Sequence, residues 1–260
     1  MSRSQQDEKL SSYGFDELNI IFGKMGLVAE GVSEEEKKEV AINRIKEHMS
    51  KHPNENYCTV CWGVSVNQCS KCLTVHYCSA EHQTQDWPTH KLVCKLVRSN
   101  NDIHNAVNLW CSDPTKALKK YGHISEWNTS KVTNMFELFA GKSSFNDDIS
   151  KWDVSKVNTM NGMFDDASMF NGDISNWNVS NVTNMKKMFS DAYSFNADIS
   201  RWNVMFVNTM HSMFYGAEAF EGDISRWNVC SVTDMHAMFH GASNFSSDLS
   251  KWNVSNVANM

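Results

Sequence analysis

Proline is scarce in this chain, three among 260 residues, so it is not a proline-rich linker protein. No run of about 18 apolar residues occurs, so no segment is expected to span a membrane. The opening residues, Met1 to Lys9, lack the apolar stretch of a secretion signal, and an intracellular, reducing location is expected. A basic stripe is missing too. From Tyr121 onward nine Lys and Arg face 15 Asp and Glu, the first 120 residues balance at zero, and the net charge is −6. That argues against a nucleic-acid partner. No nucleophile–base pair and no phosphate loop stands out, and no enzyme is expected. Apolar residues, at 41%, suffice for a packed core.

Cysteine is present and unevenly placed. Six of eight lie between residues 58 and 94, interleaved with histidine. A tight Cys/His cluster in a chain without a secretion signal points to metal rather than disulfides. The spacing is Cys58-x2-Cys61-x7-Cys69-x2-Cys72-x5-Cys78-x3-His82-x7-His90-x3-Cys94. Zinc takes four such ligands in a tetrahedron, so eight make two closed sites with no open position for water. Closed zinc is structural. This 37-residue stretch has almost no apolar core, so metal must supply its folding energy, on the order of 10 kcal/mol per site. Cys111 and Cys230 stand alone; Cys230 sits where sister repeats carry Ser155, Ser180 and Ser255.

With Tyr77-Cys78, Gln83, Trp87, His90-Lys91 and Cys94, the pattern resembles the MYND finger. The resemblance implies two interleaved Zn2+ sites: Cys58, Cys61, Cys78 and His82 in one, Cys69, Cys72, His90 and Cys94 in the other. The family usually has Cys at the place of His82, so a Cys3His site is expected; His76 is the nearest substitute ligand. The resemblance further implies a reader of short proline-containing peptides, with Gln83 and Trp87 lining the groove and Tyr77 nearby. An exposed Trp suits proline rings. The plainer reading is that Trp87 and Tyr77 pack the finger, and for Tyr77 packing is favoured.

Before the finger, Phe15, Leu18, Ile21, Phe22 and Met25 recur at helical spacing. Ser33-Glu34-Glu35-Glu36 is a capping box opening a second helix with Val40, Ala41, Ile45 and Met49 apolar, ended at His52-Pro53. After the finger, Ile103, Ala106, Val107 and Trp110 predict one short helix. Asp113-Pro114 opens another that stops at Gly122.

The remainder repeats every 25 residues. Trp127, Trp152, Trp177, Trp202, Trp227 and Trp252 set the register, and columns of Ile, Val, Met and Phe follow it. Ile149, Trp152 and Val154 predict a short strand; Val157, Met160, Met163, Phe164 and Ala167 predict a helical turn or short helix. One unit cannot bury its apolar positions alone, and stacked copies can, which gives a solenoid with a parallel sheet along one wall. The two short helices before Tyr121 are expected to cover its first end. The run from Phe170 to Met185, continued by Met188-Phe189 and Ala192, is similar to the BspA-like leucine-rich-repeat family, which implies a binding scaffold. The sixth copy stops at Met260, so an exposed stacking surface is expected, from a chain that is a piece of a longer protein or pairs end to end.

Two weaker constellations remain. His211, His236 and His240 are read as a solvated face rather than a metal site, because no carboxylate or Cys completes them. The column Asp148, Asp173, Asp198, Asp223 and Asp248 is read as turn capping rather than a calcium site.

The fold class expected is α/β: a small two-zinc finger plus a right-handed α/β solenoid, with N-terminal helices. The boundaries are a tail and helical hairpin over 1–52, the finger over 53–98, a helical linker and cap over 99–122, and six repeats over 123–260. The function read is a zinc-binding interaction or adaptor protein with peptide partners. The alternatives are a transcriptional or chromatin-associated regulator and, further behind, a fragment related to lysine methyltransferases.

Overall fold

A computed structural model describes residues 42–43, 65, 67–69, 76–77 and 79–260. The tail and hairpin expected over 1–52 lie outside the described residues, apart from Ile42 and Asn43. The chain divides after Cys94 into two compact units.

In the first unit, strand β1 (Asn67–Gln68) pairs antiparallel with β2 (His76–Tyr77), with Asn67 opposite Tyr77. Helix α1 spans Ala80–Cys94. Ser79 starts it: its hydroxyl accepts from the His82 amide at 3.3 Å and its carbonyl from the Gln83 amide at 3.2 Å. Glu81 in the first turn and Lys91 in the last suit the helix dipole. Pro88 lies inside the helix, where it cannot donate to the carbonyl four residues back.

The second unit opens with β3 (Val97–Ser99), α2 (Ile103–Ser112) and α3 (Pro114–Tyr121). A 3-10 turn (Ile124–Glu126) leads to β4 (Asn128–Lys131). Helix α3 starts as its sequence signal predicts: the Asp113 carboxylate accepts from the Lys116 amide at 3.0 Å, with Pro114 next. Gly122, at φ 78°, ends it.

Ile103, Ala106, Val107, Trp110 and Ala117 of these helices join the repeat core, so they cover its first end. Strand β3 completes the cover by pairing in parallel with β4. Arg98 on β3 is fully buried. It pairs with Asp102 at 2.7 Å, donates to the Lys95 carbonyl, and lies over the Tyr121 and Trp127 rings. A buried guanidinium is tolerated only when so paired.

The repeats depart from the expected strand and helix. Among the described residues from 132 onward there is no helix and no named strand. Each copy is a chain of tight turns with one parallel bridge, the series running from Asn134↔Thr159 to Asp234↔Asn259. The hydrogen bonds explain it. The amides of Met160, Gly162, Phe164 and Asp166 donate to Asn184, Lys186, Met188 and Ser190 of the next copy, while those of Met163, Asp165 and Ala167 close turns on residues three back. Every second amide is therefore spent between copies, and no bond remains to sustain an i→i−4 helix. Successive turns space apolar residues three or four apart, which imitates helical periodicity.

That alternation puts two columns into the left-handed region: Glu137, Gly162, Lys187, Ser212 and Ala237, then Gly141, Asp166, Asp191, Gly216 and Gly241. At Gly216 a Cβ would lie 2.4 Å from the Asp191 carboxylate. Ala237, at φ 53°, is the opposite case. A left-handed alanine costs about 1–2 kcal/mol, partly offset by the entropy a glycine loses on folding. Ala237→Gly is therefore expected to stabilise the repeats by about 1 kcal/mol, read as a higher denaturation midpoint at unchanged slope. A lower midpoint would contradict the backbone assignment.

Packing holds the copies in register. Each indole Nε1 reaches back one copy, Trp152 to the Ile124 carbonyl and onward to Trp252 and the Ile224 carbonyl, at 2.9 to 3.3 Å. Phe139, Phe164, Phe189, Phe214 and Phe239 stack between copies at 5.3 to 5.8 Å. At the last two copies an apolar cavity of about 420 Å³ opens among Met235, Phe239, Trp252 and Met260.

Candidate metal centre and peptide face

Cys69 follows β1, and His90 and Cys94 lie four residues apart on α1, so they share one helix face. All three are buried, and their ligand atoms lie within 4.8 Å of one another. Two thiolates about 2.3 Å from a tetrahedral zinc stand about 3.8 Å apart. The Cys69 and Cys94 sulfurs are 3.8 Å apart, too far for a disulfide and right for a shared metal. Burial holds the His90 imidazole below its usual pKa, against the opposing pull of the Asp86 charge. Neutral imidazole is the form that ligates. The donor set fits zinc.

Of the eight ligands read from the sequence, the structure brings these three together. Cys72 lies outside the described residues, as do Cys58, Cys61 and Cys78. His82 is half-buried near the start of α1 and is not part of the three-residue cluster. His76 lies on β2.

The peptide-face residues separate by exposure. Trp87 is 44% exposed, and its ring centroid is 5.9 Å from that of His90. Gln83, one helical turn earlier, is half-buried. Tyr77 is buried, edge-on to His90 at 6.2 Å, and its hydroxyl donates to the Asp86 carboxylate at 2.6 Å. Tyr77 therefore lies inside the finger. Asp86 was not singled out by sequence reasoning; its position four residues before His90 and eight before Cys94 was the available signal.

The weaker constellations resolve as follows. Asp148, Asp173, Asp198, Asp223 and Asp248 each accept from the backbone amide two residues on, at 2.9 to 3.0 Å. Hydrogen bonds from Ser150, Ser175, Ser200, Ser225 and Ser250 hold the carboxyls below their ordinary pKa, so the column caps turns. His211 does have a carboxylate, Asp234 at 3.4 Å, and its ring stacks on His236 at 5.2 Å, while His240 stacks on Tyr215 at 5.0 Å. Among the described residues the Cys69–His90–Cys94 group is the one cluster of three such donors.

With this geometry the relatives can be placed. Residues 112–218 and 197–260, more than half of the chain, match the family described as "Mycoplasma protein of unknown function, DUF285", and the chain belongs to that family. Residues 57–94 match the MYND finger, a zinc-binding interaction module, so a finger precedes the DUF285 repeats. Similar proteins include the Rho GTPase-activating protein gacZ of Dictyostelium discoideum, 46% identical over 50 residues, which are 19% of this chain and 5% of that one. Ubiquitin carboxyl-terminal hydrolase 19 of Arabidopsis thaliana is 49% identical over 84 residues, 29% of this chain and 12% of that one. The zinc finger MYND domain-containing protein 10 homolog of Drosophila melanogaster is 45% identical over 40 residues, 15% and 9%. The chain spans only 5 to 12% of these relatives' lengths. No solved structure matches significantly. No helix among the described residues is long and apolar enough to cross a membrane.

Proposed function

We propose that this chain is an intracellular adaptor, a binding protein rather than an enzyme, whose MYND finger holds two zinc ions and reads short proline-containing peptides. The observation that carries the peptide reading is Trp87, a large aromatic left 44% exposed on α1 directly against the ligand His90. Aromatic rings in the open favour proline, whose ring packs flat with little entropy to lose. Gln83 shares the face and supplies an amide for the peptide backbone. Cys58, Cys61, Cys78 and His82 are assigned to one zinc, and Cys69, Cys72, His90 and Cys94 to the other. The repeats are proposed as a solenoid scaffold of the BspA-like leucine-rich kind, on the support of the 25-residue register and the parallel bridge in every copy. Self-association is assigned to the apolar cavity at the last two copies.

The test uses the full chain against immobilised proline-containing peptides and the same peptides with proline replaced by alanine. Trp87→Ala is expected to lose most proline-dependent capture while zinc content stays at the wild-type value. Equal capture of both peptide sets would end the proline reading. Zinc loss in Trp87→Ala would show that the indole packs the finger.

A further inference from the structure

Three features of the finger converge on one imidazole. Asp86, His90 and Cys94 recur at intervals of four along α1 and therefore share a face. The Tyr77 hydroxyl, carried by β2, donates to Asp86 at 2.6 Å, a length typical of a bond to a charged acceptor. The same Tyr77 ring stands edge-on to His90, with Trp87 on the imidazole as well, at centroid separations of 6.2 and 5.9 Å.

Resting on the zinc assignment above, we propose that Tyr77 and Asp86 form a latch that positions His90 as a metal ligand, and so tunes how tightly the Cys69–His90–Cys94 centre keeps its zinc. The hairpin of β1 and β2 brings Cys69, and α1 brings His90 and Cys94. The Tyr77–Asp86 bond is a side-chain tie between them, so it fixes the distance from Cys69 to the helical ligands. It also locks the Tyr77 ring, which in turn limits rotation of His90 about its Cβ–Cγ bond. Outer groups that orient a ligating histidine typically change metal affinity 10- to 100-fold. Trp87 touches the same imidazole, so the latch also sets the seat of the exposed indole.

Three variants of the full chain separate this from a general packing role. Tyr77→Phe keeps the ring and removes only the hydroxyl. Asp86→Ala removes the acceptor, and Asp86→Asn restores an acceptor oxygen without the charge. Zinc affinity is measured by competition with a chromogenic chelator, and ligand geometry by the visible spectrum of the cobalt-substituted protein. Tyr77→Phe and Asp86→Ala are expected to weaken one of the two zinc ions about tenfold or more and to shift its cobalt bands. Asp86→Asn is expected to recover most of the affinity, and the double variant to lose no more than either single one, as members of one interaction do. Wild-type affinity and an unchanged cobalt spectrum in Tyr77→Phe would overturn the latch, as would additive losses in the double variant. Those outcomes leave the zinc reading intact, whereas a wild-type protein that binds no zinc defeats both.

Discussion

Cys94→Ala is expected to empty one zinc site and unfold the finger while the repeats keep their own melting transition. The Cys94 sulfur is buried, 3.8 Å from Cys69 and within ligand reach of His90, so its loss removes one of the three donors of this cluster. Structural zinc supplies about 10–16 kcal/mol of folding free energy to small folds of this type. The repeats bond copy to copy through their own backbone, so their cooperativity does not depend on the metal. Elemental analysis is expected to fall below two zinc ions per chain, to one or none as unfolding of the finger loosens the second site, with the far-ultraviolet signal of the repeats retained. An unchanged count in Cys94→Ala, or one ion in the wild type, would contradict the two-site assignment.

Trp202→Ala is expected to cost about 3–5 kcal/mol, as truncation of a buried aromatic does. Trp202 is 4% exposed and packs on Phe189 at 6.3 Å. Its indole nitrogen donates to the Ile174 carbonyl at 3.1 Å, which also accepts from the Trp177 amide, so the substitution removes one of that carbonyl's two hydrogen bonds. Trp202 sits in the fourth copy, with neighbours on both sides, and has no free end toward which the structure can relax. Urea denaturation of the full chain measures the loss as a fall in midpoint. Wild-type stability would mean that the Trp column is not a core ladder.

The sequence by itself pointed to a zinc-binding finger and set the register of the repeats. Ligand spacing is a local property, since a C-x2-C pair or an H-x3-C pair on a helix brings its donors together without help from the rest of the chain. His90 and Cys94 accordingly share one face of α1, and Cys69 joins them from the hairpin in the folded finger. The 25-residue period is equally local, and it named the buried columns of Trp, Val, Met and Phe. Asp113-Pro114 and Gly122 marked the limits of α3 through backbone chemistry that needs no neighbour.

Only the tertiary structure decided the path of the backbone within a copy. Apolar residues three and four apart fit a helix and a run of tight turns equally well. The choice fell to turns because each copy's alternate amides find carbonyls on the next copy, a partner that appears only after stacking. Lys187 adopts φ 55°, a value its own preference opposes, because its amide is held by the His211 carbonyl of the next copy at 2.8 Å. The residues after the finger show the same dependence. Val97–Ser99 pairs with β4, and the Asn100 side chain accepts from the Thr133 and Asn134 amides, where later copies use a backbone carbonyl such as that of Thr133 for Asn158. That substitute for a preceding copy carries no periodic signature, so nothing in the sequence announced it. Asp86 is the corresponding case in the finger: its meaning depends on Tyr77, nine residues earlier on another element, and it becomes legible once the hairpin and helix are packed together.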